Sequence, residues 1–188
     1  IDPTTGEVLW SIEEAGNIIT DIAIDEARST VWITAIVSFP DRGLVTLETP
    51  PFEAQIQEYD LDSGEWLRTT VLGPSADGEG TVLGPQGLVV DEGNVWVAAQ
   101  DSELVIELDA ETMAESSRTI VSGGARGLHS DDGAVWVHAN QAMSIHRIRN
   151  GEIETSSITG LDPRPEAVAA GQLHFIQPGE SYGQNFSC

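Results

Sequence analysis

Apolar and polar positions alternate along this chain in short runs that are broken by turn residues. In Leu104-Val105-Ile106-Glu107-Leu108 the alternation is shallow, as in strands packed on both faces. Gly87-Leu88-Val89-Val90-Asp91 ends in an acid, Glu92-Gly93-Asn94 follows, and Val95-Trp96-Val97 begins the next run. Glycine and asparagine accept the positive φ of a tight hairpin, so the spacing predicts paired strands. In this stretch the predicted strands are 87–91, 95–100, 103–109 and about 114–121.

The same order of residues returns. Gly127-Leu128-His129-Ser130-Asp131-Asp132-Gly133-Ala134-Val135-Trp136-Val137 repeats the pattern, with 40 residues from Trp96 to Trp136. An earlier unit runs through Asp21-Ile22-Ala23-Ile24-Asp25 and Val31-Trp32-Ile33, and its third strand closes at Tyr59-Asp60-Leu61-Asp62-Ser63-Gly64-Glu65. Trp32 lies 64 residues before Trp96, and the excess falls in two places. Trp32 to Asp60 spans 28 residues against 13 for Trp96 to Asp109, and Asp60 to Gly87 spans 27 against 18 for Asp109 to Gly127. Two insertions into one repeat account for the difference. Ile1-Asp2-Pro3-Thr4-Thr5-Gly6-Glu7 echoes the turn at Asp60, so the chain opens on the tail of a further unit.

Repetition at 40 residues with four strands per unit implies an all-β fold of four-stranded antiparallel β-propeller blades. Residues 1–160 are expected to hold the end of one blade and three blades, an incomplete ring, since propellers close with four to eight. Residues 161–188 are expected to form a linker and the start of another domain, with a short helical segment. The recurrence of Trp32, Trp96 and Trp136 at one place in the repeat assigns them to packing between blades, because a ligand site is normally built once.

Charge narrows the partners. Thirty-one acids face eight bases, all arginine, for a net charge of −23. Such a surface repels nucleic acid and anionic lipid. No apolar run reaches the length of a membrane span. The single cysteine, Cys188, leaves no internal disulfide.

Candidate chemistry is sparse. His129 and His138 fall on adjacent predicted strands, while His146 and His174 stand apart, and none has metal-ligand spacing. Asp77-Gly78-Glu79-Gly80 and Asp131-Asp132-Gly133 lack a full calcium-loop pattern, and the second sits at a hairpin. No nucleophile elbow, phosphate loop or dinucleotide fingerprint occurs. The insertion bounded by Phe39, Pro40, Pro50, Pro51 and Phe52 is stiffer and more apolar than a solvated tip, and is the candidate interaction loop. The alternative for it is a loop folded onto its own blade.

The Asp-x-x-x-Gly-Glu turns and Val-Trp-Val strands resemble YVTN-type bacterial propellers. The segment from Asp162 to Phe175 resembles the opening helix of a cytochrome c domain, with its Ala-x-Gly-x-x-x-Phe stretch at Ala169 to Phe175, and 181–188 resembles the approach to Cys-x-x-Cys-His. This likeness, to propellers fused to di-haem cytochrome c peroxidase-like domains, implies covalent haem c attached through Cys188 as the first thiol. It also implies an electron-transfer role, a location in the periplasm or outside the cell, and a downstream cytochrome domain or redox protein as partner. The second cysteine and the histidine of that motif do not occur in the chain. A rival alignment places Pro165-Glu166-Ala167-Val168 two repeats after Pro85-Gln86-Gly87-Leu88, which makes Leu173-His174-Phe175 a further strand. Two other classes stay open: a non-catalytic binding propeller, and a metal-dependent lyase or lactonase, which the run from Ile145 to Ile153 faintly resembles.

Overall fold

The computed structural model describes residues 4–12, 18–38, 52–73, 82 and 84–155. The chain divides into two compact units, Ile1–Ile158 and Thr159–Cys188, and the second lies wholly outside the described residues. The first unit contains three four-stranded sheets. Blade 1 is β1 (Ile18–Asp25), β2 (Thr30–Ser38), β3 (Phe52–Asp60) and β4 (Trp66–Val71). Blade 2 is β5 (Pro85–Asp91), β6 (Asn94–Ala99), β7 (Leu104–Asp109) and β8 (Glu115–Ile120). Blade 3 is β9 (Ala125–Asp131), β10 (Ala134–Ala139), β11 (Ser144–Arg149) and β12 (Glu152–Thr155). Within each blade every strand pairs antiparallel with its neighbours in sequence. The one described helix is a single 3₁₀ turn, Gln100–Ser102, between β6 and β7.

Register makes the three units equivalent residue by residue. Trp32 pairs with Ala23 and Glu58, Trp96 with Val89 and Glu107, and Trp136 with His129 and Arg147. In each blade the inner strand ends in an aspartate two residues beyond the tryptophan's partner. The indole therefore projects from the same face of every blade, which for Trp32 and Trp96 is the face toward the next blade.

Those faces form the core. Trp32, Ala54, Ile56, Leu72 and Val82 pack against Leu88, Val95, Val97, Leu104 and Ile106 of blade 2. Trp96, Ala98 and Val105 pack against Val135, Val137 and Ile148 of blade 3. Trp32 is 0% exposed and Trp96 6%, whereas Trp136 is half-buried. On the opposite face of blade 1, Val31, Ile33 and Tyr59 are covered by Trp10, Ile12 and Leu61. The Trp10 indole N–H donates to the Leu61 carbonyl at 2.9 Å. Its ring lies flat on Gly64, where a Cβ would come within 2.6 Å of it, so this turn needs glycine for approach as well as for its φ of +73°.

The β3–β4 and β7–β8 turns share one device. Asp60 Oδ1 accepts from the amides of Asp62 and Ser63 and from the Ser63 hydroxyl. Asp109 Oδ1 accepts the same set from Glu111 and Thr112. The amide of Glu7 donates to Thr5 Oγ1 as Glu65 does to Ser63 Oγ and Ala114 to Thr112 Oγ1. Residues 5–7 thus repeat part of that turn, in line with the echo read in the sequence.

Candidate functional site

Meander topology sorts the connections between two ends of the blades. The turn end carries the hairpins after Asp25, Asp91 and Asp131 and the turns after Asp60, Asp109 and Arg149. The loop end carries β2–β3 and β4–β5, where both insertions fall, together with the 3₁₀ turn and the β10–β11 turn. β2 and β3 run nine residues each and pair from Thr30↔Asp60 out to Ser38↔Phe52. β6 and β10 stop three residues past their tryptophans, and β2 continues six past Trp32. At roughly 3.3 Å per residue, the blade 1 hairpin stands about 10 Å beyond its neighbours. Phe52 is half-buried at the outer end of that hairpin, where it pairs with Ser38. Phe39, Pro40, Pro50 and Pro51 lie outside the described residues, as do Asp77, His174 and Cys188.

The seams between blades carry the polar chemistry that sequence inspection did not single out. In the first seam Glu58 is buried and takes the Arg68 guanidinium at 2.5 Å. Arg28 approaches the same carboxylate at 3.9 Å. Arg68 also donates to the Ala110 and Glu111 carbonyls of blade 2, and its guanidinium carbon stands 5.4 Å from the Trp32 ring centroid. In blade 3, Arg147 lies 5.7 Å over Trp136 and pairs with Glu154. In the second seam the register puts Ser117 where blade 1 has Arg68, and its hydroxyl donates to Glu107 Oε2 at 2.7 Å. Beside it lies a cavity of about 150 Å³ lined by Asp91, Glu92, Asn94, Trp96, Glu107 and Asn150, among others.

Other predicted candidates resolve differently. His129 pairs across from Trp136 and His138 from Gly127, so both share one face of blade 3, and both are exposed. These positions hold Val89 and Ala98 in blade 2, where they join the apolar seam. The His146 ring and Ser144 Oγ are 2.7 Å apart. Ser144 is buried, and among the described residues no carboxylate is bonded to His146, so this pair lacks both access and the orienting acid of a nucleophilic triad. Asp131-Asp132-Gly133 forms the β9–β10 hairpin. No group of three metal-ligating side chains occurs among the described residues. Those residues include no cysteine. No described helix is long and apolar enough to cross a membrane.

No protein-family model and no curated protein matches the chain. Solved structures do. The computationally designed Ika4 protein is 17% identical with a TM-score of 0.54, over 81% of this chain and 80% of that one. Dihydro-haem d1 dehydrogenase NirN, in complex with DHE, is 14% identical with a TM-score of 0.54, over 77% of this chain and 28% of its own. A chain of the nidogen/laminin complex is 11% identical with a TM-score of 0.54, over 77% of this chain and 48% of its own. NirN and nidogen are β-propeller proteins. At these identities the likeness carries the fold alone, and with the three equivalent sheets it makes the described part of this chain a run of β-propeller blades.

Proposed function

We propose that this chain is a non-catalytic propeller scaffold that holds a partner at its loop end. One observation carries the reading: both insertions emerge from the same end, and the longer one is raised on a hairpin that outreaches its neighbours. A rigid sheet that lifts a Phe- and Pro-bearing loop limits the entropy lost when the loop is bound. Replacing residues 39–51 with a short Gly-Asn turn tests it. The thermal unfolding of the blades should be kept, while co-purification of the partner with the full-length protein is lost; retained co-purification refutes the reading.

The finer reading is that the partner is a c-type haem domain, in the protein's own chain or a redox protein, outside the cytoplasm. Its support is the sequence from Ala169 to Cys188, in which Cys188 stands where the first haem-bonding thiol would. Bound haem would supply the redox chemistry, and the blades would orient and screen it. The gene sequence after Cys188, with a visible spectrum of its full product, tests this. A Cys-x-x-Cys-His motif with reduced c-type bands supports it, and the lack of either refutes it.

A further inference from the structure

We infer that the cavity between blades 2 and 3 is a binding site for a guanidinium cation supplied from outside the fold. Blades 1 and 3 each set an arginine over the repeated tryptophan, Arg68 of the fourth strand over Trp32 and Arg147 of the third strand, at the register position of Glu58, over Trp136. In blade 1 that guanidinium is held by the Trp32 ring below, the Glu58 carboxylate on one edge, and two main-chain carbonyls of the next blade on another. Blade 2 keeps the ring and the carboxylate and lacks the arginine. Trp96 is the equivalent ring, Glu107 the equivalent carboxylate, and Asn150 follows Arg149 as Ala110 follows Asp109, while the Gly151 carbonyl accepts the Thr119 hydroxyl at 2.8 Å. Ser117 replaces Arg68 and gives Glu107 a hydroxyl instead of a cation, and the cavity lies on the far side of Glu107 and Trp96, toward the hairpins.

What lines that cavity strengthens the case. Asp91, Glu92 and Asn94 at the β5–β6 hairpin, and Gly133, Ala134 and Asn150 of blade 3, join Trp96 and Glu107. The corresponding β1–β2 hairpin of blade 1 instead carries Arg28, which approaches Glu58 at 3.9 Å. Two cationic groups thus serve Glu58, and among the described residues none pairs with Glu107. Arg149, which precedes the lining residue Asn150, is engaged by the Asp132 carbonyl and by Glu154. A planar cation stacked on an indole face with an in-plane carboxylate is the geometry guanidinium favours over ammonium. The net charge of −23 raises the local concentration of such cations. The cavity opens at the turn end, away from the insertions, so its ligand is independent of the partner proposed above. Free guanidines and a protein's arginine side chain present the same group.

Titration of the full 188-residue chain with methylguanidinium chloride, followed by the indole N–H resonance of Trp96, tests the site. A saturable shift with a midpoint in the millimolar range is expected, with methylammonium at matched ionic strength at least several-fold weaker. Glu107→Gln should weaken binding about tenfold, as loss of a charge-assisted bond implies. Ser117→Arg should supply the guanidinium from within and abolish the response. Gly151 packs so near Ser117 that this variant could fail to fold, and the Glu107→Gln result then decides. A short arginine peptide that binds at least tenfold tighter than methylguanidinium identifies a protein side chain as the source, whereas equal affinity identifies a small guanidine. No saturable shift, an equal response to methylammonium, or unchanged affinity in Glu107→Gln overturns the assignment.

Discussion

The carboxylate of Asp21 accepts the Leu88 amide proton at 2.8 Å and so ties the inner strand of blade 1 to that of blade 2. At the equivalent place in blade 2 stands Gly87, since Asp21 pairs with Thr34 and Gly87 with Ala98, each two residues past its tryptophan. There the next blade comes in directly: a Cβ on Gly87 would lie 2.2 Å from the Arg126 carbonyl oxygen. One seam is closed by a side chain that reaches across, the other by the absence of a side chain.

Asp21→Ala should leave the amide of buried Leu88 without its acceptor. A loss of about 1–3 kcal/mol in urea unfolding is expected, the usual cost of a stranded buried donor. An unchanged midpoint would mean that water replaces the carboxylate.

Gly87→Ala should destabilise through contact with Arg126 rather than through backbone strain, because Gly87 is not among the glycines with positive φ. The methyl meets main chain that cannot swing away, so a cost of about 1–3 kcal/mol is expected. Gly93→Ala meets no atom within 4 Å, and its cost should come from its φ of +82° alone. Comparing crystal structures of the two variants checks this: the blade 2–blade 3 seam should widen only in Gly87→Ala.

The repeated tryptophans should differ in energetic weight. Trp32→Ala empties a closed seam and should cost about 3–5 kcal/mol. Trp136→Ala, on a half-buried ring, should cost markedly less. Equal losses would show that the face of Trp136 is covered as fully as that of Trp32.

Acid should act on the two aspartate turns. Hydrogen bonds from the Ser63 amide and hydroxyl hold the Asp60 carboxyl below its ordinary range, and those from Thr112 do the same for Asp109. A depressed folded value stabilises above the unfolded carboxylate range, about pH 4, and that stability is lost as pH falls through the folded value. The double variant Asp60→Ala/Asp109→Ala should melt lower at pH 7 and lose less on going from about pH 5 to pH 2 than the parent chain. Parallel melting curves across that range would remove these turns from the acid response.

Strands, hairpins and the equivalence of Trp32, Trp96 and Trp136 were legible in the sequence because they depend on residues near one another. Period-two alternation buries one sheet face against another, and Asp-Glu-Gly-Asn chemistry sets each hairpin register within a few positions. The two insertions could be counted there too, and their lengths place them in particular connections. That both leave the same end is a property of the meander. The contrast between Arg68 and Ser117 lay hidden in plain residues, because its meaning depends on three partners: a tryptophan two strands inward, a glutamate on the strand between, and carbonyls 42 and 43 residues further on. Non-local pairing alone brings those groups together. Local chemistry therefore determined the blades of this protein, and the packing of one blade on the next decided where its charges are held and where a cavity remains.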